Sequence, residues 1–312
     1  MDKIKIIDFD KGCGGFSKGL EDSGFFEVVS NPLINKNNNT CYNNVHINKF
    51  SDKDIINKDA DLIIYTPHSK KPSLTEISNY IAFLSINNFE NVIFITKREA
   101  IPFLQVSKNV RIDANNRPTI DIISCRLIDL GYSVYQFVID GAGFGLCQHQ
   151  YYNIYWGTKN EGNIEINEGF GLFKRKYRLV KHVLRDITDN SNLNWHNIDY
   201  SKKDLCHMVL PGENARSTPG IPQNHGYIRL DCDSMAPTIY NDFYKLSGKC
   251  PSIHPYYDRP LTIREGARLF GLTDDFIWDL KLKKWDIGDM IYNSFPPVIS
   301  KLMANKIKRV IK

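Results

Sequence analysis

The chain has 312 residues, 42% of them hydrophobic, and can bury a full core either as one large domain with an insertion or as two domains. Its seven cysteines form no CxxC pair, and no charged-then-apolar leader opens the sequence, so we expect neither a disulfide scaffold nor a zinc site nor secretion. The formal charge of +5 suits a polyanionic partner without requiring one, and no apolar run approaches the roughly 20 residues that span a bilayer.

The first half of the chain alternates short β-rich runs with amphipathic stretches. The runs that predict strands cover residues 3–9, 25–30, 61–65, 91–96, 132–139 and 152–157. The stretches that predict helices cover residues 17–24, 73–88 and 119–131, and the last has a threonine N-cap and a glycine stop. Strands and helices in turn, with apolar strands buried on both faces, predict a doubly wound parallel sheet.

Residues 158–258 interrupt this order. They are polar, irregular and punctuated by glycine and proline, which indicates an inserted second domain. From Arg259 the order returns, and residues 259–272 and 293–310 predict two further helices. The sequence therefore predicts an α/β domain that is built from both ends of the chain.

A series of motifs extends along nearly the whole chain. It begins with the glycine loop DFDKGCGGFSKGL at 8–20, continues with MVLPGENARSTP at 208–219, and includes the runs at 229–239, 254–276 and 287–304. In this order the motifs resemble the DNA cytosine-5 methyltransferase family. The resemblance implies an α/β, Rossmann-like, S-adenosylmethionine-dependent methyltransferase fold at residues 1–157 and 259–312. It also implies a target-recognition domain inserted at 158–258, with a cleft for double-stranded DNA between the two.

The resemblance assigns four cofactor contacts to the glycine loop, at Asp8, Gly12, Gly14 and Gly15. The family's other cofactor contacts align with residues of unsuitable chemistry, namely Asp10, Pro32 or Leu33, and Lys49 or Asn48. An adenosyl group would lose its stacking surface and its hydrogen-bond acceptors together. We therefore expect no bound cofactor, and S-adenosylmethionine only if the chain is active.

Methylation of cytosine C5 requires a thiolate that adds to C6, an acid that protonates N3, and basic groups that hold the flipped base. The alignment puts Ser69 at the position of the family's nucleophilic cysteine, beside His68. A serine hydroxyl needs an adjacent base, and neighbouring residues at a strand end point apart. We therefore interpret this stretch as a structural turn. Cys147 is an alternative, relocated nucleophile, although a buried structural cysteine is the better interpretation.

The acid and arginine positions of the family are replaced as well. The tripeptide ENV at 90–92 precedes an apolar run, so Thr96 occupies the strand tip where the acid belongs. Gln148 of the family's Gln-x-Arg-x-Arg motif remains, whereas Gln150 and Tyr152 replace its arginines and cannot supply a bidentate cationic contact. None of the family-equivalent catalytic positions is intact: Ser69, Thr96, Gln150 and Tyr152.

Residues 170–185 are basic with interleaved aromatic residues, which is typical of a phosphate-contacting segment and equally of a solvated helix. We assign DNA contacts to Lys174, Arg175, Lys176, Arg178 and Gln148. Arginines of the late motifs could line the cleft, but we interpret them first as structural, with Glu265 as a local ion-pair partner. They are Arg259, Arg264 and Arg268.

Two hypotheses follow. In the first, the chain is a catalytically inactive homologue, a DNA-binding or regulatory subunit beside an active methyltransferase, with no methyl donor, metal or membrane contact. In the second, it is an active DNA (cytosine-5-)-methyltransferase that uses S-adenosylmethionine, with Cys147 or Ser69 as the nucleophile. An eroding remnant is a third interpretation. Reduced thiols and DNA as the partner indicate the cytoplasm, the nucleoid or the nucleus.

Overall fold

The computed structural model describes residues 2–10, 12–29, 60–66, 74–98, 119–160, 177–187, 202–222, 226–245, 251–278 and 282–311. Six described strands form the main sheet: β1 (Ile4–Asp10), β2 (Phe26–Val28), β3 (Leu62–Thr66), β4 (Asn91–Arg98), β5 (Ser133–Asp140) and β6 (Tyr151–Thr158). Their order across the sheet is β2-β1-β3-β4-β6-β5. Every strand of this sheet lies within one or two residues of a predicted run, which confirms the α/β fold class.

The direction of β6 differs from the prediction. β1 pairs in parallel with β2 and β3, and β3 pairs in parallel with β4. β6, however, runs antiparallel to both β4 and β5, so the sheet departs from the predicted parallel arrangement at this one strand, next to the edge strand β5. The reason is the short connection at 141–150, because a parallel crossover needs a dozen or more residues.

Helices cover both faces of the sheet. On one face lie α1 (Gly15–Glu21) and α8 (Pro297–Ile311), which share a core with the inward side chains of β1, β3 and β4. On the other face lie α2 (Leu74–Asn87) and α3 (Thr119–Asp129), packed on the alternate side chains of the same strands. No helix in the described ranges is long and apolar enough to cross a membrane.

A second lobe packs beside the sheet. It contains α4 (Val180–Leu184), α5 (Lys203–Met208), α6 (Ile263–Leu269), α7 (Lys284–Asn293) and the short parallel pair β7 (Ile228–Arg229) and β8 (Ser252–Ile253). Its hydrophobic core, here called the lobe core, includes Val180, Leu184, Leu230, Ile239, Phe243, Phe270 and Tyr292. Residues on both sides of position 259 share this core, and the division at 158–258 stays a prediction.

Candidate functional site

The candidate site lies at the C-terminal edge of the parallel strands, where open α/β sheets place their ligand crevice. β1, β3 and β4 end at this edge, and the antiparallel β6 begins beside the tip of β4. Ser69 follows β3 but lies outside the described residues. Its assignment to the nucleophile position therefore stays a prediction.

The tip of β4 carries a neutral hydroxyl group. β4 begins directly after the exposed Glu90, which confirms that the literal ENV tripeptide stands at the wrong end of the strand for the family's acid. Thr96 is buried near the other end, and its Oγ1 accepts a hydrogen bond from Asn153 Nδ2 at 3.4 Å. Neither of these two paired side chains can protonate a ring nitrogen as a carboxylic acid does.

The two positions of the family's arginines hold a neutral pair. Gln150 and Tyr152 are both buried, and the Tyr152 hydroxyl donates a hydrogen bond to Gln150 Oε1. The ring of Tyr152 packs against Phe295, with ring centres 4.7 Å apart. These contacts hold the pair inside the protein, and neither side chain has the positive charge that binds a phosphate bidentately.

Gln148, which the sequence suggested as a DNA contact, is completely buried in the structure. Its Nε2 donates to the carbonyl oxygen of Leu269 at 3.0 Å, and its Oε1 accepts from the backbone N–H of Ile239 at 3.1 Å. Both polar atoms of the amide are therefore engaged between α6 and the 236–239 segment. Gln148 joins the sheet to the lobe core, and its side chain is not accessible to DNA.

Cys147 is buried beside Gln148, and its environment opposes thiolate formation. Burial raises the pKa of the thiol to about 11, although the backbone N–H of Ala236 and the charge of Arg178 act in the opposite direction. A thiol that stays neutral near pH 7 is a poor nucleophile. The structure therefore argues against Cys147 as a relocated nucleophile and favours the structural interpretation.

The basic segment is described only from Tyr177 onward. Arg178 is exposed and, together with Cys147, lines a cavity of about 640 Å³ between the 144–147 connection, α4 and the turn after α6. An exposed guanidinium is accessible to a phosphate group. Lys174, Arg175 and Lys176 lie outside the described residues, so their DNA contacts stay predictions.

The glycine loop joins β1 to α1. Asp8 is buried in β1 and accepts a hydrogen bond from Ser17 Oγ of α1, which ties the two elements together. Gly14 has a φ of 71°, a left-handed conformation that glycine adopts at little cost. The nearest heavy atom to a Cβ built on Gly14 would be Ser17 Oγ at 3.8 Å, so there is room for a close neighbour.

Two other glycines of the loop face the C-terminal segment of the chain. A Cβ on Gly12 would lie 2.6 Å from Ser294 Cα, and a Cβ on Gly15 would lie 1.9 Å from the carbonyl oxygen of Phe295. Intramolecular packing therefore accounts for both glycines. Among these three glycines, only Gly14 leaves space in which S-adenosylmethionine could approach the backbone. The positions that align with the family's ribose and adenine contacts, at 32, 33, 48 and 49, lie outside the described residues.

The arginines of the late motifs form internal contacts. Arg259 donates two hydrogen bonds of 2.9 Å to the carboxylate of Glu265, and both side chains are fully buried. This confirms Glu265 as an ion-pair partner, and Glu265 also closes a capping box with Thr262 at the start of α6. Arg264 donates to two backbone carbonyl groups, and Arg268 binds two carboxylates.

The mostly parallel sheet, the glycine loop after β1 and the crevice at the strand tips define a Rossmann-like fold, and the solved structures that share it are methyltransferases. A putative DNA modification methyltransferase encoded within a prophage of E. coli has the same fold, with a TM-score of 0.66, 16% identity and 99% of each chain covered. The Dnmt2 methyltransferase of S. pombe gives a TM-score of 0.65 at 15% identity, again with 99% of each chain covered.

Sequence comparison gives the family. The chain belongs to the C-5 cytosine-specific DNA methylase family, whose model matches residues 106–309. It is 25% identical to the putative type II methyltransferase M.MJ0563P of Methanocaldococcus jannaschii, over 98% of this chain and 99% of the relative. It is 20% identical to the type II methyltransferase M.DdeI of Desulfomicrobium norvegicum, over 97% of this chain and 88% of the relative. The family uses S-adenosylmethionine as its methyl donor.

Proposed function

We propose that this protein binds double-stranded DNA and does not transfer a methyl group to cytosine C5. The observation that supports the proposal is the hydrogen bonding of Thr96 with Asn153 and of Gln150 with Tyr152. The family's acid and arginines align with three of these residues, and all four are uncharged and form two separate hydrogen-bonded pairs. Such a site lacks the proton donor and the cationic contacts of the reaction.

A DNA-binding protein of this kind would work beside an active methyltransferase. Residues 158–258 would form its recognition domain, and the basic segment at 170–185 would contact the phosphate backbone. The exposed Arg178 supports this assignment for the described end of the segment. DNA binding then depends on surface charge and shape complementarity, neither of which requires a methyl donor.

A second candidate function is the active methyltransferase, with S-adenosylmethionine as donor. Similarity along nearly the full chain to relatives that are named type II methyltransferases favours it. In this case Ser69 would be the nucleophile, because Cys147 is buried and burial raises the pKa of its thiol. The two candidates differ in one measurable property, the transfer of a labelled methyl group to DNA.

Neither the wild-type protein nor a Ser69→Cys variant is expected to label duplex DNA with tritium from S-adenosyl[methyl-³H]methionine. A thiol restored at Ser69 would still lack an acid near Thr96 and cations at Gln150 and Tyr152. The measurement is tritium in DNA after filter washing, with an active cytosine-5 methyltransferase as positive control. Label transferred by the wild type would establish the second candidate, and label transferred only by Ser69→Cys would show that a single change removed the activity.

Neutralising Lys174, Arg175 and Lys176 together with glutamine is expected to weaken duplex binding and to reduce its salt dependence. For every phosphate that the variant no longer neutralises, the slope of log K against log salt should become shallower by about 0.9. Fluorescence anisotropy at several salt concentrations measures both quantities. A matched variant neutralises Lys301, Lys306 and Lys308 of α8, the same number of cationic side chains on a helix that packs on the sheet. Equal effects in the two variants would remove the assignment.

A further inference from the structure

The ammonium group of Lys97 occupies an aromatic cage at the tip of β4. Lys97 Nζ donates a hydrogen bond of 2.9 Å to the carbonyl oxygen of Tyr292. It also lies 3.8 Å from the centre of the Tyr292 ring and 4.8 Å from the centre of the Phe270 ring. Attraction between a cation and two aromatic rings adds to this hydrogen bond, and partial burial of Lys97 strengthens both.

The hydrogen bond also stabilises the end of α7. Tyr292 belongs to the last turn of α7 (Lys284–Asn293), where carbonyl groups have no partner within the helix. The partial negative charge at a helix C-terminus favours a nearby cation. The last turn of α7 itself contains no lysine or arginine, so Lys97 supplies this charge from a distant part of the chain.

The cage joins two separate cores. Lys97 extends from a strand of the main sheet, whereas Phe270 and Tyr292 belong to the lobe core. The contact lies next to Thr96, at the edge of the sheet that faces the crevice. It therefore connects the tip of β4 to the C-terminal end of α7.

We propose that Lys97 is a positioning residue, whose contacts with Tyr292 and Phe270 hold the second lobe against the C-terminal edge of the sheet. It acts through α7 and not on a ligand, so the proposal holds for a binding protein and for an enzyme alike. A cleft whose walls are already held in place in the free protein loses less conformational entropy when a ligand binds. The tip of β4 would thus help to hold the geometry of the cleft.

Hydrogen–deuterium exchange of the full chain tests this role of Lys97. Lys97→Met removes the charge and keeps the side-chain length, and we expect amides in residues 284–296 to exchange about tenfold faster than in the wild type. Amides of β1 and β3 should keep their wild-type rates. Lys97→Arg keeps a cation that can face the rings and should restore most of the protection.

Lys159 provides a matched control. Its ammonium lies 4.7 Å from the centre of the Tyr132 ring and donates a hydrogen bond to Asn88, at the opposite end of the sheet. Lys159→Met should leave exchange in α7 unchanged. Should Lys97→Met fail to fold, Tyr292→Leu removes one ring, keeps the carbonyl group, and should raise exchange in 284–296 several-fold. Unchanged exchange in α7, or an equal increase in every segment, would overturn the proposal.

Discussion

Replacing Arg259 with leucine is expected to lower the free energy of unfolding by about 3–5 kcal/mol, because the change leaves the buried Glu265 carboxylate without the guanidinium group that binds both of its oxygens. Arg259 and Glu265 are both fully buried and are joined by two hydrogen bonds of 2.9 Å. Removing the guanidinium cannot expose Glu265 to water without opening the start of α6. Urea denaturation followed by circular dichroism measures the loss as a shift in midpoint.

Two further variants separate ion pairing from packing. Arg126→Leu breaks an exposed pair with Asp129, at 3.7 Å, and is expected to cost less than about 1 kcal/mol. The double variant Arg259→Leu with Glu265→Leu should recover part of the loss, since no buried charge is left unpaired. An Arg259→Leu protein as stable as Arg126→Leu would mean that the pair is dispensable and that water reaches Glu265.

The positions of the strands were predictable because a buried strand appears in the sequence as a short run of apolar residues. β3 is a run of five buried residues rich in isoleucine, too short for a typical helix and of the composition that favours a buried strand. The direction of β6 was not predictable from hydrophobicity, since a strand buries the same side chains in either direction. The length of the 141–150 connection is the physical signal that distinguishes the two directions.

Helix α7 was absent from the prediction for a different reason. Its sequence KWDIGDMIYN contains Gly288, which lowers helix propensity. In the structure a Cβ on Gly288 would lie 2.3 Å from the carbonyl oxygen of Asn241, so the glycine allows the helix to approach the 241–244 turn closely. Packing in the lobe core therefore overrides the low propensity of Gly288, and only the spacing of Ile287, Met290 and Ile291 indicates a helix locally.

The composition of the candidate site was more predictable than its contacts. The sequence identified Thr96, Gln150 and Tyr152 as uncharged replacements, because residue identity alone decides that. It misassigned Gln148, whose partners Ile239 and Leu269 are more than 90 residues away in the chain. Contacts of this kind depend on how the lobe core meets the sheet, and a motif read along the chain carries no information about them.

The glycine loop gives the second large expected effect, in which Gly15→Ala lowers the free energy of unfolding by about 3 kcal/mol in the absence of any ligand. Alanine favours a helix more than glycine does, so propensity alone predicts a gain at this first residue of α1. The new Cβ, however, would lie 1.9 Å from the carbonyl oxygen of Phe295, a backbone atom that cannot rotate away. The contact between α1 and the start of α8 must then open.

Two other glycine-to-alanine variants serve as controls for the effect of Gly15→Ala on stability. Gly143→Ala adds a Cβ that meets nothing within 4 Å, and is expected to change stability by less than about 0.5 kcal/mol. Gly14→Ala has space but a φ of 71°, so backbone strain of about 1 kcal/mol is its main cost. If the glycines served only a methyl donor, Gly15→Ala would leave the ligand-free protein as stable as Gly143→Ala does. A large loss without ligand instead assigns Gly15 to the packing of the fold, which explains why this residue can persist whether or not the cofactor binds.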